Sequence, residues 1–394
     1  MLSWLAPLLV LGLVIFVHEL GHFLAAKWAG VYAPRFSLGW GSPIWSFRRG
    51  ETEYAISALP IGGYVRMASQ EDEHASALEG GPELRGDGAP VERSKHWDEH
   101  SMIPHGPLPI PKDRWFESKP LVQRLVILVA GVVMNVILAV VVSTGVFAYY
   151  GQAYLPAVVD SVMAERPAAL AGMQRGDSIA AIDGVAITRW DTVLEKVSGS
   201  PEQPLTFTVV RGGETLTLTV TPEAAEAPSA TTGAMERVGR IGVGPRGEVV
   251  RERMGLGESM TSGVDATIQM GANVLGVLGG LFRGSVSVSQ LGGPVEIARA
   301  SVTAAQTGTG LENLWALVAF LSINLAILNL LPIPLLDGGQ IVLNLVEGAI
   351  RRPLPAMVKE WYARIGLAAI LLLFVTVTFN DLKRLVMGWF GGGD

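Results

Sequence analysis

The sequence predicts a multi-pass α-helical membrane protein with about four transmembrane helices, a membrane-associated β-hairpin and one small soluble module of α+β type. Three observations lead there. Hydrophobic residues make up 49% of the 394-residue chain and charged residues only 17%, against about 25% charged in soluble globular proteins. Mean hydropathy is +0.38. Four stretches are apolar over lengths that approach the roughly 20 helical residues needed to cross a hydrocarbon core.

The first stretch runs from Met1 to about Trp28 and the second from Leu121 to about Tyr149. The third runs from Leu311 to Leu331, and the fourth and shortest from Ile365 to Phe379. A cleaved secretory signal is a poor account of the first. No Lys or Arg precedes Lys27, and polar His18, Glu19 and His22 interrupt the apolar run. Basic residues flanking the spans set the expected orientation. Lys27, Arg35, Lys119 and Arg124 border the loop between spans one and two, and Arg351, Arg352, Lys359 and Arg364 border the loop between three and four. Both loops are therefore expected in the cytoplasm, with both termini and the long segment after span two on the opposite side. Lys383 and Arg384 in the tail pull the other way.

Between the spans the composition changes repeatedly. Residues 31–68 alternate and are rich in aromatic and β-branched types, with a turn signal at Arg48-Arg49-Gly50-Glu51. Trp40, Trp45, Phe47 and Tyr54 suit a hairpin lying at the membrane interface, although an ordinary soluble hairpin has the same alternation. Residues 69–118 turn polar and Pro/Gly-rich, as a flexible cytoplasmic connector would. Within its insert at 74–105, His96-Trp97-Asp98-Glu99-His100 matches the H-x-x-E-H zinc pattern but has no apolar helix around it to hold ligands still. Span two occupies 119–150. Residues 151–222 form the soluble module, with strand-like runs Leu205–Val210 and Thr215–Val220 joined by Arg211-Gly212-Gly213-Glu214. Its stretch Gly172-Met173-Gln174-Arg175-Gly176-Asp177-Ser178-Ile179, followed by Ile182-Asp183-Gly184, resembles a PDZ domain. By that resemblance the peptide-binding loop lies near Tyr154 to Val158, where the module either captures an extended peptide or acts only as a steric gate. Residues 223–310 are expected to be a linker, Ala/Pro/Ser/Thr-rich at 222–236, and then an amphipathic segment along the membrane surface at 255–283, with a fifth span as the alternative. The third span with an Asp-Gly-Gly motif fills 311–350, and the fourth span with the tail fills 351–394.

The absence of cysteine leaves only His and carboxylates to build a metal site. A net charge of −6 offers no footprint for nucleic acid. The motif that carries chemistry is His18-Glu19-Leu20-Gly21-His22. Four residues apart on a helix, His18 and His22 share a face and can grip one zinc ion, while Glu19 stands beside them to take a proton from water that the metal activates. His18 lies about fifteen residues into the apolar run, roughly 22 Å along a helix axis, so the metal is expected inside the bilayer near its cytoplasmic face. Ionisable groups at that depth are costly and usually functional. Two imidazoles leave a ligand missing. A candidate stands in Asn329-Leu330-Leu331-Pro332-Ile333-Pro334-Leu335-Leu336-Asp337-Gly338-Gly339, where two prolines break the helix and offer Asp337 at a bend. Asp337 suits equally the N-cap of a helix starting at Gly338.

The pairing of HELGH in span one with NxxPxPxxDGG in a later span resembles the site-2 protease family of intramembrane zinc metalloproteases, and within it the bacterial RseP type. The likeness extends through FSLGW, TEYAISALPIGGYVRM, SKPLVQRLVILVAGVVMN, GRIGVGP and LGGPVEIA. It implies zinc held by His18, His22 and Asp337, Glu19 as catalytic base, and Asn324, Asn329, Pro332 and Pro334 in contact with an unwound substrate. It also implies an extracytoplasmic PDZ domain, an inner-membrane location, and single-pass transmembrane substrates such as anti-sigma factors, added as a strand to the hairpin at 35–67. RseP-type proteins of enteric bacteria carry tandem PDZ domains, whereas this interval holds room for one. A catalytically idle PDZ adaptor or chaperone is the rival class, but it has no use for Glu19. A metal transporter would place further ionisable residues in the middle of spans two to four, whose apolar stretches hold only Arg124 and Glu312, each near a span start.

Overall fold

The N-terminal apolar run forms helix α1 (Ala6–Trp28), opened by a proline in its first turn, where the missing N–H costs nothing. It belongs to a computed structural model that describes residues 5–69, 111–228, 235–287, 292–306 and 309–390. The chain divides into two units, one of residues 1–143, 264–271 and 288–394, the other of residues 144–263 and 272–287. The H-x-x-E-H stretch at His96–His100 lies outside the described residues.

After α1 come strands β1 (Arg35–Arg49) and β2 (Thr52–Arg66), which turn at Gly50-Glu51 where the sequence signalled. The product is more than a simple hairpin. Residues 53–56 pair on one side with 45–48 and on the other with 35–38, and 35–38 pair again with 63–66. The two long strands thus double back into a four-ribbon sheet. Gly39 and Gly62, at φ +89° and +85°, permit the bends. One face packs Phe36 and Tyr54 against Phe23 of α1. Trp40, Ile44, Trp45, Phe47 and Leu59 stay exposed. At the turn, Glu51 accepts hydrogen bonds from Arg114 at 2.7 and 2.9 Å and pairs with Lys27. The Arg114 guanidinium, with Lys27, holds the Glu51 carboxyl down to about 2. The end of the expected connector is therefore anchored: Arg114 and Phe116 also bond the backbone of Tyr32 and Ala68.

Helix α2 (Leu121–Tyr150) is the second span. Beyond it, the second unit contains β3 (Gln152–Tyr154), β4 (Val159–Val162), α3 (Pro167–Leu170), β5 (Ser178–Ile182), β6 (Val185–Ala186), α4 (Trp190–Ser198), β7 (Leu205–Arg211) and β8 (Glu214–Val220). It continues through β9 (Glu223–Pro228), β10 (Met235–Arg240), β11 (Val243–Pro245) and β12 (Val250–Glu252). Its main sheet runs β6-β5-β7-β8 around a core of Ile179, Ile182, Trp190, Val193, Phe207 and Val209. Where the sequence suggested a linker at 222–236, β9 pairs with β10. The module also passes its expected end at 222, since β11 pairs with β4 and Ile241 joins the core. The reason is that β9 and β10 are largely exposed, so their pairing rests on backbone hydrogen bonds and leaves no apolar alternation to read.

Helix α5 (Leu256–Arg283) follows, its C-terminus closed by Gly284 in the left-handed region. It is not among the helices long and apolar enough to span. Then come α6 (Pro294–Gln306), α7 (Gly310–Leu330), α8 (Asp337–Ile350) and α9 (Ala356–Phe390). Helices α1, α2, α7 and the 357–384 part of α9 are the four candidate spans. In the first unit, Val10 and Val14 pack on Val318 and Leu321, Ala26 on Ile127, and Ala139 on Ala319 and Ile323, so α1, α2 and α7 share one interior. Helix α9 outruns the expected 365–379 because its polar ends find partners. Lys359 meets Glu347 at 3.0 Å, and buried Asp381 accepts backbone N–H groups of Gly293 and Glu296 at the start of α6.

In the second unit, Asp177 is fully buried. Burial alone would raise its carboxyl, but Arg211, at 2.6 and 2.8 Å, and the Gln174 amide hold it below the ordinary 3.8. The unfolded carboxyl therefore takes up its proton first as pH falls. The stabilisation is whole above about pH 4 and is lost on acidification through the folded value. We expect Asp177→Asn to cost about 2 kcal/mol at neutral pH and to flatten that acid dependence, read as amide hydrogen exchange across β5 and β7.

Candidate metal centre

One helical turn of α1 sets the first two groups. His18 and His22 lie on one face, ring centroids 4.7 Å apart, edge to face, with their Nε2 atoms 3.2 Å from each other. Both are buried. Asp337 brings Oδ2 to 3.2 Å from His18 Nε2 and 3.4 Å from His22 Nε2. Helix α8 begins at Asp337 itself, Leu336 holds the N-cap position, and no side chain caps the helix. The carboxylate is spent on the imidazoles and not on its own helix.

These three side chains fit zinc. Donors spaced 3.2, 3.2 and 3.4 Å match the edges, about 3.3 Å, of a tetrahedron with bonds of about 2.0–2.1 Å. Asp337 Oδ2 is buried with no hydrogen-bond partner, a cost that a cation removes.

Neighbouring groups fix the rings. His22 Nδ1 donates to the Ile127 carbonyl at 2.8 Å, which leaves the Nε2 lone pair free to face the group. His18 Nδ1 meets the side-chain amide of fully buried Asn135 at 3.4 Å. Asn135 Oδ1 has no partner as placed. Exchanging the amide's oxygen and nitrogen, which have the same shape, lets that oxygen accept from His18 Nδ1–H. Gly131 of α2 lies against the rings, and a Cβ there would collide with both imidazoles.

The chain between α7 and α8 supplies the other candidates. Asn329, in the last turn of α7, places Nδ2 3.1 Å from His18 Nε2. Asn324 is five residues earlier, about 140° around the helix, and takes no part in the described hydrogen bonds of the site. Pro332 and Pro334 sit in the break, followed by Leu335 at φ +73°. Gly338 packs directly on the Leu330 and Leu331 carbonyls, so a side chain there would push α8 and its carboxylate away. Glu19 points from α1 toward the sheet, where the Val65 backbone amide hydrogen-bonds its carboxylate and Gly63 lies against its side chain. The 63–66 ribbon, paired on one side only, thus runs beside Glu19.

A family model for peptidase family M50 matches residues 6–373. The chain belongs to peptidase family M50. Similar proteins include the zinc metalloprotease RasP of Bacillus licheniformis, 32% identical over 97% of this chain and 99% of that protein. The regulator of sigma-W protease RasP of Bacillus subtilis is 31% identical over 97% and 99%. The metalloprotease MmpA of Caulobacter vibrioides is 33% identical over 98% and 96%. This M50 chain is a zinc metalloendopeptidase of the site-2 protease type, acting within the membrane as a multi-pass protein.

Sequence reasoning missed Asn135 and Gly131 of this M50 site. The signal for Asn135 was present: a lone amide in the middle of span two, where an unsatisfied polar group is expensive. We expect Asn135→Ala to weaken zinc binding by about 10–100-fold in chelator competition. Gly131→Ala should leave purified protein with far less than one zinc per chain by metal analysis.

Proposed function

We propose that His18, His22 and Asp337 hold the zinc, with Glu19 as general base, and that the enzyme hydrolyses peptide bonds in transmembrane segments of single-pass proteins. The observation that carries this is the convergence of three buried donor atoms, from positions more than 300 residues apart, beside a glutamate that faces a sheet edge. Zinc supplies Lewis acidity at that point. Glu19 takes the proton of the attacking water and delivers it to the leaving amine nitrogen. A helical substrate hides its carbonyls in its own hydrogen bonds, so it must unwind first. The edge at Gly63–Arg66 supplies replacement backbone partners by strand addition. Asn329, Pro332 and Pro334 contact the extended segment near the metal, and Asn324 acts farther along it.

The similarity to the regulator of sigma-W protease supports membrane-bound anti-sigma factors as the substrate class and regulated intramembrane proteolysis as the role. The flanking basic residues support a zinc site near the cytoplasmic side and an extracytoplasmic PDZ module. We read that module as a gate more than a peptide clamp. The backbone of Tyr154–Val158 is already committed, Tyr154 to Val250, Ala157 to Thr188 and Val158 to Ser178.

Glu19→Gln should keep about one zinc per chain and lose at least about a hundredfold in cleavage of a model single-pass substrate. Asp337→Asn should lose both zinc and cleavage. Unchanged cleavage in Glu19→Gln would reject the mechanism.

A further inference from the structure

The two faces of the sheet beside α1 differ in chemistry. Side chains alternate along each ribbon. Phe36, Tyr54 and Val65 pack toward Phe23 and Leu20 of α1, and Gly63 lies against Glu19. Residues one step along face the other way. There Arg35, only 1% exposed, brings Nε and Nη2 to 3.1 and 2.8 Å from Glu53 Oε2 on one neighbouring ribbon. Its Nη1 reaches the Tyr64 hydroxyl, on the ribbon at its other side, at 3.5 Å. Arg35 therefore marks the face that Glu53, Tyr64 and Arg66 share.

Four residues stand abreast on this face. Arg48 is paired with Glu53, Glu53 with Arg35, and Arg35 with Arg66, each on its own ribbon. The row holds three guanidinium groups and one carboxylate, and that carboxylate is committed. Burial pushes the Glu53 carboxyl up, but hydrogen bonds from Arg35 and Ser46 and the charges of Arg35 and Arg48 hold it below its ordinary 4.5. Arg66, half-buried, ends the row on the ribbon that is paired on one side only. The next place in the row is the one that an added strand would fill.

Such a strand pairs its residues one for one with 63–66. One of them stands opposite Arg66, next to the residue opposite Val65, whose amide bonds Glu19. Directly opposed side chains interact across a strand pair, unlike charges favourably and like charges unfavourably. Resting on the strand-addition reading above, we propose that Arg66 is a specificity residue. It selects substrates with Asp or Glu at the paired position and rejects those with Lys or Arg there.

The test uses the full chain and a model single-pass substrate whose cleaved bond has been mapped by mass spectrometry. Each of the four residues on either side is made Glu, Gln or Lys in turn, and kcat/KM is measured in detergent for every member. We expect one position at which Glu is favoured over Lys by about tenfold, with Gln between them. Arg66→Glu should reverse that order at this position and leave the order elsewhere as it was. A smaller active fraction scales all three substrates alike and does not move the ratio. Should Arg66→Glu retain no zinc, Arg66→Gln serves instead, and it must bring the ratio close to one. Absence of a Glu-preferring position, or a preference that outlasts the variant, overturns the role of Arg66 and leaves the protease mechanism standing. Cleavage that persists in Glu19→Gln strikes that mechanism, and the specificity with it.

Discussion

Two imidazoles from the first helix meet a carboxylate from the eighth at 3.2 and 3.4 Å, in surroundings built from apolar helices. Burying an ionised carboxylate among such helices is unfavourable unless it finds opposite charge or good donors. That cost makes the contact an organising constraint. With His18 and His22 on α1, Asp337 meets them because the start of α8 lies against that helix face. The break at Pro332 and Pro334 and the close seat of Gly338 on the Leu330 and Leu331 carbonyls serve that placement.

Packing follows from the same demand. Lipid tails are as apolar as leucine, so helices in a bilayer associate where backbones can approach closely and where polar groups find one another. Gly131 lets α2 lie against both rings, and Asn135 and the Ile127 carbonyl, from the same helix, orient them. Ser322 of α7 donates to the Asn135 carbonyl at 2.8 Å, linking the third span to the first two. The metal group and the helix interfaces are one structure seen at two scales.

Much of this was legible in the sequence, and the gaps have physical causes. The spans showed because apolar length is a strong signal. The HELGH pair showed because a four-residue spacing has a direct geometric meaning on a helix. Asp337 stayed divided between ligand and cap because an Asp before two glycines serves either, and only the direction of its side chain decides. The sheet was anticipated as a hairpin, but its doubling back depends on glycine conformations at Gly39 and Gly62 that alternation does not report. Strands β9 and β10 looked like linker because exposed strands need no apolar pattern. The resemblance placed Asn329 and Asn324 at the substrate but did not report that the Asn329 amide also lies 3.1 Å from His18 Nε2, or that five-residue spacing puts Asn324 on a different face of α7.

A protease in a membrane faces a problem that a soluble one avoids. Its substrate arrives as a helix, and unwinding a turn exposes several backbone groups that lipid cannot satisfy, each at a cost of several kcal/mol. Cleavage is feasible only if those groups are handed directly to the enzyme. In the proposed mechanism a strand edge beside the base would do this, since an edge offers backbone donors and acceptors at the spacing of an extended chain. The 63–66 ribbon lies next to Glu19, and Glu19 follows His18 in the same helix. In the proposed mechanism, the segment that would receive the unwound chain and the groups that would hydrolyse it are held together by α1. On that proposal, a sheet that drifted from this helix would leave the base without an extended substrate, so the contact of Gly63 and Val65 with Glu19 couples the sheet to the site.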